Sequence, residues 1–374
     1  MKISVSVRAT DRFGPRVVEI TTPKGTFESP NRALTSTESN YRKEIVNKVP
    51  VDEPFSNPVF EVIGHFSLED VRKLRSRNGP LHERKREYQA HAHGYGTMVT
   101  KFYPKLDFDE SHLTIDDVKA LVDLQIMSGF DVIAIPDFTG SNVSKYEHET
   151  SSFGQYILNN NRAPMPYVRV DCDPTIFGAK IRSVINNSGT FQSLGIVFRP
   201  PYSRYYPNYD YLRRISDEPV WIHQSNVNRV FSSTIPLATA HLSQMFCIDT
   251  VSVESRRVMA PFKEKPIERV RRFDPRTLGQ IPLLKDPSLS AQSCCPFCTG
   301  RSTEDLVRTF TGQVGVDTKT LEHGLRVHET FTSYDEFTAA RLAIRSNEFR
   351  DYALRRKYLA ETLGNRDLFS PILA

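Results

Sequence analysis

Three thiols fall within five residues, in Ser293-Cys294-Cys295-Pro296-Phe297-Cys298, and His323 and His328 follow in the next stretch of chain. Three thiolates and one imidazole satisfy a tetrahedral zinc ion, and a site so filled keeps no open position for water, so its role is structural. A pair of buried thiols or a redox C-x-x-C is the other reading of the same residues. Two acidic residues stand beside apolar runs: Asp249 in Phe246-Cys-Ile-Asp-Thr-Val-Ser-Val253 and Asp137 in Ile135-Pro-Asp-Phe-Thr-Gly140. A carboxylate beside a buried strand is costly unless it caps a helix or does chemistry. Two at one site would supply a nucleophile and a recognition or acid/base group. After Phe198 comes Arg199-Pro-Pro-Tyr-Ser-Arg-Tyr-Tyr-Pro-Asn-Tyr-Asp-Tyr211. Its aromatic and guanidinium planes, among them Tyr202, Arg204 and Tyr205, suit stacked bases and phosphates, or a loop packed on itself.

The elements that must position these groups alternate. Thr114 can cap a helix with Asp116 and Asp117 in its first turn and a stop at Gly129. Asp131-Val-Ile-Ala-Ile-Pro136 and Leu194-Gly-Ile-Val-Phe198 read as strands buried on both faces. Weaker strands are expected at 167–170, 219–222 and 245–248, with helices at 174–187, near 209–215, at 235–243, and from 333 to 363. The first forty residues read as β structure, with turns at Phe13-Gly14-Pro15 and Thr22-Pro23-Lys24-Gly25-Thr26. Repeated strand–helix units predict a parallel α/β fold, either doubly wound or a (β/α)8 barrel. No G-x-G-x-x-G follows a strand, which removes the main support for a dinucleotide fold. In a barrel, residues just past the C-terminal strand ends are the catalytic candidates, here Asp137, His223 and Asp249.

Composition narrows the class. The 374 residues carry a net charge of +5, and their 39% hydrophobic content is that of a globular chain. No apolar run is long enough to span a membrane, and the N-terminus lacks a signal-peptide core. Five cysteines, three of them clustered, favour a reducing cytoplasm with one metal site over a disulfide scaffold. The positive charge is concentrated: Glu254 to Arg276 holds eight Lys/Arg, among them Arg256, Arg257, Arg271 and Arg272, against four Asp/Glu. That stretch is a candidate for phosphate contacts.

At the cysteine cluster the sequence resembles the tRNA-guanine transglycosylase superfamily, (β/α)8 barrels with an N-terminal β-hairpin and a zinc subdomain near the C-terminus. Gly14-Pro-Arg-Val-Val-Glu-Ile-Thr-Thr-Pro-Lys-Gly-Thr-Phe-Glu-Ser-Pro30 resembles the family hairpin. Gly129-Phe-Asp-Val-Ile-Ala-Ile-Pro-Asp137 resembles the strand whose terminal Asp reads the guanine-like base. Cys295-Pro-Phe-Cys298 with Val327-His328 resembles the zinc site. The resemblance implies Asp249 as nucleophile, Asp137, Phe198 and Arg199 as substrate contacts, and Cys294, Cys295, Cys298 and His328 as zinc ligands. There are two departures. The family's C-x-C-x-x-C would begin at Ser293, whereas here the first thiol is Cys294. The Asp-Ser-Gly segment carrying the family's general base is missing; His91 or His93 in Tyr88-Gln-Ala-His-Ala-His-Gly-Tyr-Gly-Thr97 are the stand-ins, or else plain loop histidines.

The missing segment and the short C-terminus are most similar to DNA-acting 7-deazaguanine transglycosylases (DpdA-type) of phages and bacterial DNA-modification clusters. The expected activity is exchange of guanine in DNA for 7-cyano-7-deazaguanine through a covalent Asp–nucleoside intermediate on a flipped nucleotide. Exchange on tRNA, or a non-catalytic nucleic-acid-binding subunit, are the alternatives. No membrane partner is expected, and a homodimer or accessory DNA-modification proteins are compatible with this role. The expected organisation is hairpin and main barrel over 1–285, zinc subdomain over 286–332, and final barrel helix and tail over 333–374.

Overall fold

The computed structural model describes residues 1–46, 56–75, 81–200, 202–232, 234–253, 270–283, 295, 298 and 318–364. The N-terminal β structure is a three-stranded antiparallel sheet, β1 (Ser4–Thr10), β2 (Arg16–Thr22) and β3 (Gly25–Glu28), one strand more than the expected hairpin. Alternation along β2 turns Val18 and Ile20 to one face, where they pack, together with Ile3 just before β1, with the apolar residues of the barrel lumen. Phe27 meets Trp221 of the barrel edge-on at 5.8 Å. Lys24 reaches Asp131 at 2.6 Å and the Met98 carbonyl at 3.0 Å. The sheet thus plugs the end of the barrel where the strands begin.

The barrel strands are β4 (Asn31–Arg32), β5 (Leu34–Thr35), β6 (Val59–Phe66), β7 (Val99–Leu106), β8 (Val132–Ile135), β9 (Ala163–Arg169), β10 (Ser193–Val197), β11 (Trp221–Val227) and β12 (Thr250–Val253). They form one parallel sheet in the order β4-β12-β11-β10-β9-β8-β7-β6-β5. β4 and β5 are separated only by Ala33, whose N–H donates to the Val251 carbonyl at 2.8 Å. The two pieces act as one strand and close an eight-membered ring, the expected (β/α)8 barrel. Side chains alternate: Ile133 and Ile135 join the outer layer beneath the helices, while Val132 and Ala134 face the lumen.

The helix after Thr114 runs Ile115–Ser128 with a full capping box to Asp117, and ends at Gly129 in the left-handed region (φ +88°). Helix Pro174–Asn186 matches its expected span within one residue. Two expected strands move. The run 245–248 is a 3-10 turn followed by Cys247 at φ +58°, and the strand expected at 219–222 is β11, running from Trp221 to Val227. The expected helix over 333–363 is instead one 28-residue helix, Thr318–Arg345, followed by Phe349–Leu354 and Lys357–Gly364. A domain boundary at 332/333 would cut that long helix, so His328 and the final barrel helix belong to one element. β13 (Arg271–Asp274) and β14 (Gly279–Pro282) form a separate antiparallel pair between β12 and this helix.

Candidate active site and metal centre

The lumen is not purely apolar. Glu61 on β6 and Lys101 on β7 form a buried ion pair, and their neighbours across the barrel complete a network. Lys101 Nζ donates to the Tyr167 hydroxyl at 2.8 Å and lies 3.3 Å from Ser225 Oγ. Ser225 donates to Glu61 Oε1 at 2.7 Å, and Tyr167 lies 2.7 Å from Ser225. His223 Nε2 is 3.2 Å from Glu61, and its Nδ1 is 2.7 Å from Thr250 Oγ1, which accepts from Trp221 Nε1 at 2.8 Å. Burial and the Lys101 charge lower His223 to about 4, so it is neutral at pH 7. Its Nε2–H then donates to Glu61 and the Thr250 hydroxyl donates to Nδ1. Burial opposes ionisation of Glu61, but Lys101 and His223 outweigh it and hold the carboxyl below the usual range. Burial lowers Lys101. Glu61 Oε2 has no hydrogen-bond partner. Gly195 makes room for this layer: a Cβ there would lie 2.6 Å from the Tyr167 ring.

Above this layer the C-terminal strand ends carry a charged rim. Arg169 pairs with Asp171 (2.9 Å) and Asp109 (2.9 Å), and Arg199 lies 3.7 Å from Asp171. Lys105 of β7 donates to Asn226 of β11 at 3.2 Å, across the mouth. Asn226 adopts φ +62° where the β11–β12 register shifts, a bulge at the rim of the kind that re-aims side chains near active sites. Glu110, in the turn after β7, is 4% exposed with Oε2 unpartnered.

Several expected site residues lie elsewhere. Asp249 does not follow a strand; it precedes β12 and sits at the plugged end of the barrel. Its carboxylate accepts from Arg16 Nε (3.1 Å) and Nη2 (2.6 Å), Ser29 Oγ (3.0 Å) and the Ile222 N–H (2.7 Å), with no exposed surface. Conservation of fold, not chemistry, is what that end of a barrel serves. His223 lies within β11 and faces the lumen. Asp137 does follow β8, but it points outward: Lys180 of helix Pro174–Asn186 donates to both its oxygens at 2.7 Å, and both side chains are buried. His91 and His93 close helix Leu81–His93, which returns the chain to the start of β7. The His93 ring packs beside Gly129 and the His91 ring 6.3 Å from Phe60, at the end opposite the mouth. Neither can act as base at the mouth.

The Tyr/Arg loop divides. Phe198 and Tyr202 are core residues; Tyr202 stacks on Phe246 at 5.4 Å, and its hydroxyl is 3.1 Å from Gln224 and 2.7 Å from Ser243. Arg204 is exposed beside the half-buried Tyr205, and Arg199 stands at the rim. Arg272 is buried with Nη2 3.8 Å from Cys298 Sγ, so it serves the cysteine group and not a nucleic-acid face, while Arg271 is half-buried and bonds the Gln280 carbonyl. Arg256, Arg257 and Cys294 lie outside the described residues. Glu61, Lys101, Tyr167, Ser225, Arg169 and Glu110 were not singled out from sequence. The available signal was a lone charge inside an apolar run, Val59-Phe-Glu-Val-Ile63 and Val99-Thr-Lys-Phe-Tyr103.

Cys295, Cys298 and His328 converge, with their ligand atoms all within 4.8 Å of one another and all three residues buried. His328 Nδ1 lies 3.2 Å and 3.3 Å from the two sulfurs. Its Nε2 is 2.7 Å from the Phe273 carbonyl, so Nε2 carries the proton and Nδ1 offers its lone pair toward the thiols. That arrangement fits a soft, tetrahedral metal ion. His323 is not part of it; it stacks on Tyr41 at 4.1 Å.

A scan against protein-family models finds no match, and a search of curated proteins finds none. Among solved structures, a proposed phosphonomutase from Burkholderia cenocepacia J2315 is similar over 60% of this chain and 86% of its own, at 10% identity and TM-score 0.35. A proposed fructose-1,6-biphosphate aldolase from Coccidioides immitis is similar over 84% and 92%, at 10% identity and TM-score 0.38. At this level of similarity neither informs on activity.

Proposed function

We propose that this chain is an enzyme that exchanges guanine in DNA for a 7-deazaguanine base, with its reaction at the C-terminal mouth of the barrel. One observation carries the reading: the chain order of antiparallel plug sheet, (β/α)8 barrel, then two cysteines after the eighth strand that meet a histidine on the long helix Thr318–Arg345. That is the order the sequence resemblance implies. In this reading Cys295, Cys298 and His328 hold a structural zinc ion, which pins the segment after β12 to the long helix. The half-buried Arg199 and the exposed Arg204 with Tyr205 contact the strand entering the mouth.

The acting carboxylate is assigned to the barrel lumen below the mouth, not to Asp249. Glu61 is the ionised carboxylate of the lumen, and one of its oxygens is unpartnered. Lys101, Ser225 and the neutral His223 fix its orientation. Incorporation of labelled 7-cyano-7-deazaguanine into duplex DNA and tRNA, assayed side by side, tests the reading. Labelling of DNA is the expected result. Labelling of tRNA alone would move the substrate, and labelling of neither would sink the exchange reaction. The second reading, a nucleic-acid-binding subunit without catalysis, is favoured by the full enclosure of Asp249. It predicts DNA binding with steep salt dependence and no incorporation.

A further inference from the structure

The three residues of the thiol–imidazole group are not equally enclosed. Cys298 is 1% exposed and His328 has no exposed surface, whereas Cys295 keeps 8%. Cys295 also lines a cavity of about 130 Å³, between the residues that enter β6 and the long helix Thr318–Arg345; neither Cys298 nor His328 borders it. Its other walls include the exposed Ser56 and Asp335 and the more enclosed Asn57, Thr330 and Tyr334. A single water needs only about 10–15 Å³ on this scale, so molecules of that size enter freely. Beside Cys295 lies its natural partner. The Cys298 N–H donates to the Cys295 carbonyl at 3.0 Å, which closes the C-x-x-C into a turn, and the two sulfurs lie within 4.8 Å of each other. A small shift of one side chain joins them.

We propose that Cys295 and Cys298 are a peroxide-sensitive switch: peroxide enters the cavity, attacks begin at Cys295, and the disulfide that results expels the metal ion. On the zinc reading above, the ion holds both sulfurs as thiolates, the nucleophilic form. The Cys295 thiolate attacks one oxygen of hydrogen peroxide, the O–O bond breaks and hydroxide leaves, so the sulfur becomes a sulfenic acid. The Cys298 thiolate then attacks that sulfur, the S–O bond breaks and a second hydroxide leaves. Peroxide gains two electrons, one from each thiolate, and a disulfide no longer ligates zinc. The released His328 sits one residue before Glu329, which binds Arg32 of β4, so the loss is felt where the barrel closes.

The test adds hydrogen peroxide to the zinc-loaded protein, with zinc release followed by a colour-forming chelator and the thiols mapped by mass spectrometry. Zinc should leave in step with formation of a Cys295–Cys298 disulfide, and reductant with added zinc should restore the original melting temperature. A short pulse in the presence of a sulfenic-acid trap should label Cys295 ahead of Cys298. Ser56→Phe, which narrows the cavity without touching a ligand, should slow release severalfold at unchanged initial zinc content. The half-exposed Cys172 serves as an internal control. Retention of zinc while Cys172 is oxidised, first labelling at Cys298, or a disulfide that uses Cys294 would each overturn the switch and leave the metal in place. Untreated protein without zinc would overturn the metal reading as well. Base incorporation into DNA by the untreated protein decides the exchange reaction separately.

Discussion

A carboxylate taken out of water needs donors, and Asp249 has four: two N–H groups of Arg16, the Ser29 hydroxyl and the Ile222 amide. Arg16 also donates to the carbonyls of Ser216, Glu218 and Val220, so the pair ties the plug sheet to the chain entering β11. Asp249→Asn should therefore cost about 3–5 kcal/mol of stability, the usual consequence of breaking a buried pair, read as a lower urea midpoint. A variant with unchanged stability and abolished exchange would restore Asp249 as the nucleophile. His241 makes the opposite kind of demand. It stacks between Phe273 (5.3 Å) and Phe337 (4.5 Å) with neither ring nitrogen hydrogen-bonded, and burial, aided by Arg32, lowers it to about 3. Its folded pKa lies below the unfolded value, so its contribution is whole above pH 6.5 and is lost as pH falls toward 3. His241→Phe should flatten the acid limb of a stability–pH curve; an unchanged limb would contradict this assignment.

At the scale of elements, helix Thr318–Arg345 does three things. It carries His328 to the cysteines, and it places Glu329 against Arg32 of β4 (3.4 Å) and Arg229 (2.8 Å). Burial works against the Glu329 charge, but Arg229 and Arg32 outweigh it and hold the carboxyl down to about 2. The same helix turns Arg341 to the Pro30 carbonyl at 2.8 Å. On the proposed zinc reading, metal binding and barrel closure are thereby coupled. Cys298→Ser, or treatment with a chelator, should remove bound zinc and lower the melting temperature by several degrees; metal analysis and melting curves read both. A wild-type protein with far less than one equivalent of zinc per chain would remove the metal from the reading. Much of this was legible in sequence: His328 follows the C-x-x-C by 30 residues, and Thr114 and Gly129 mark their helix ends. The element boundaries around 245–249 were not, because a short apolar run is compatible with a strand or a buried turn.

At the scale of the molecule, the two ends of the barrel have different jobs. The end where strands begin is closed by the antiparallel sheet and by the Lys24–Asp131 and Arg16–Asp249 pairs. The other end carries the charged rim and, on the proposed reading, meets nucleic acid. Replacing Arg199 and Arg204 by Ala should weaken DNA binding about evenly across sequences and reduce the log–log salt slope by about one per residue. An unchanged slope would move the nucleic-acid face elsewhere. No described helix is long and apolar enough to cross a membrane.

What the amino-acid order determined by itself is local: alternation that makes strands, caps and glycines that end helices, and a thiol–imidazole set close enough in sequence to converge. The parallel α/β class follows from the repetition of such units. The tertiary structure alone decided which end of a strand an acid occupies and which way it points. One residue of register separates an outward Asp137, taken by Lys180, from a lumen position. Ring closure through Ala33 brings Glu61, Lys101, Tyr167 and Ser225 together although they lie up to 164 residues apart. Their juxtaposition arises from curvature and closure, properties of the whole sheet that no local pattern encodes.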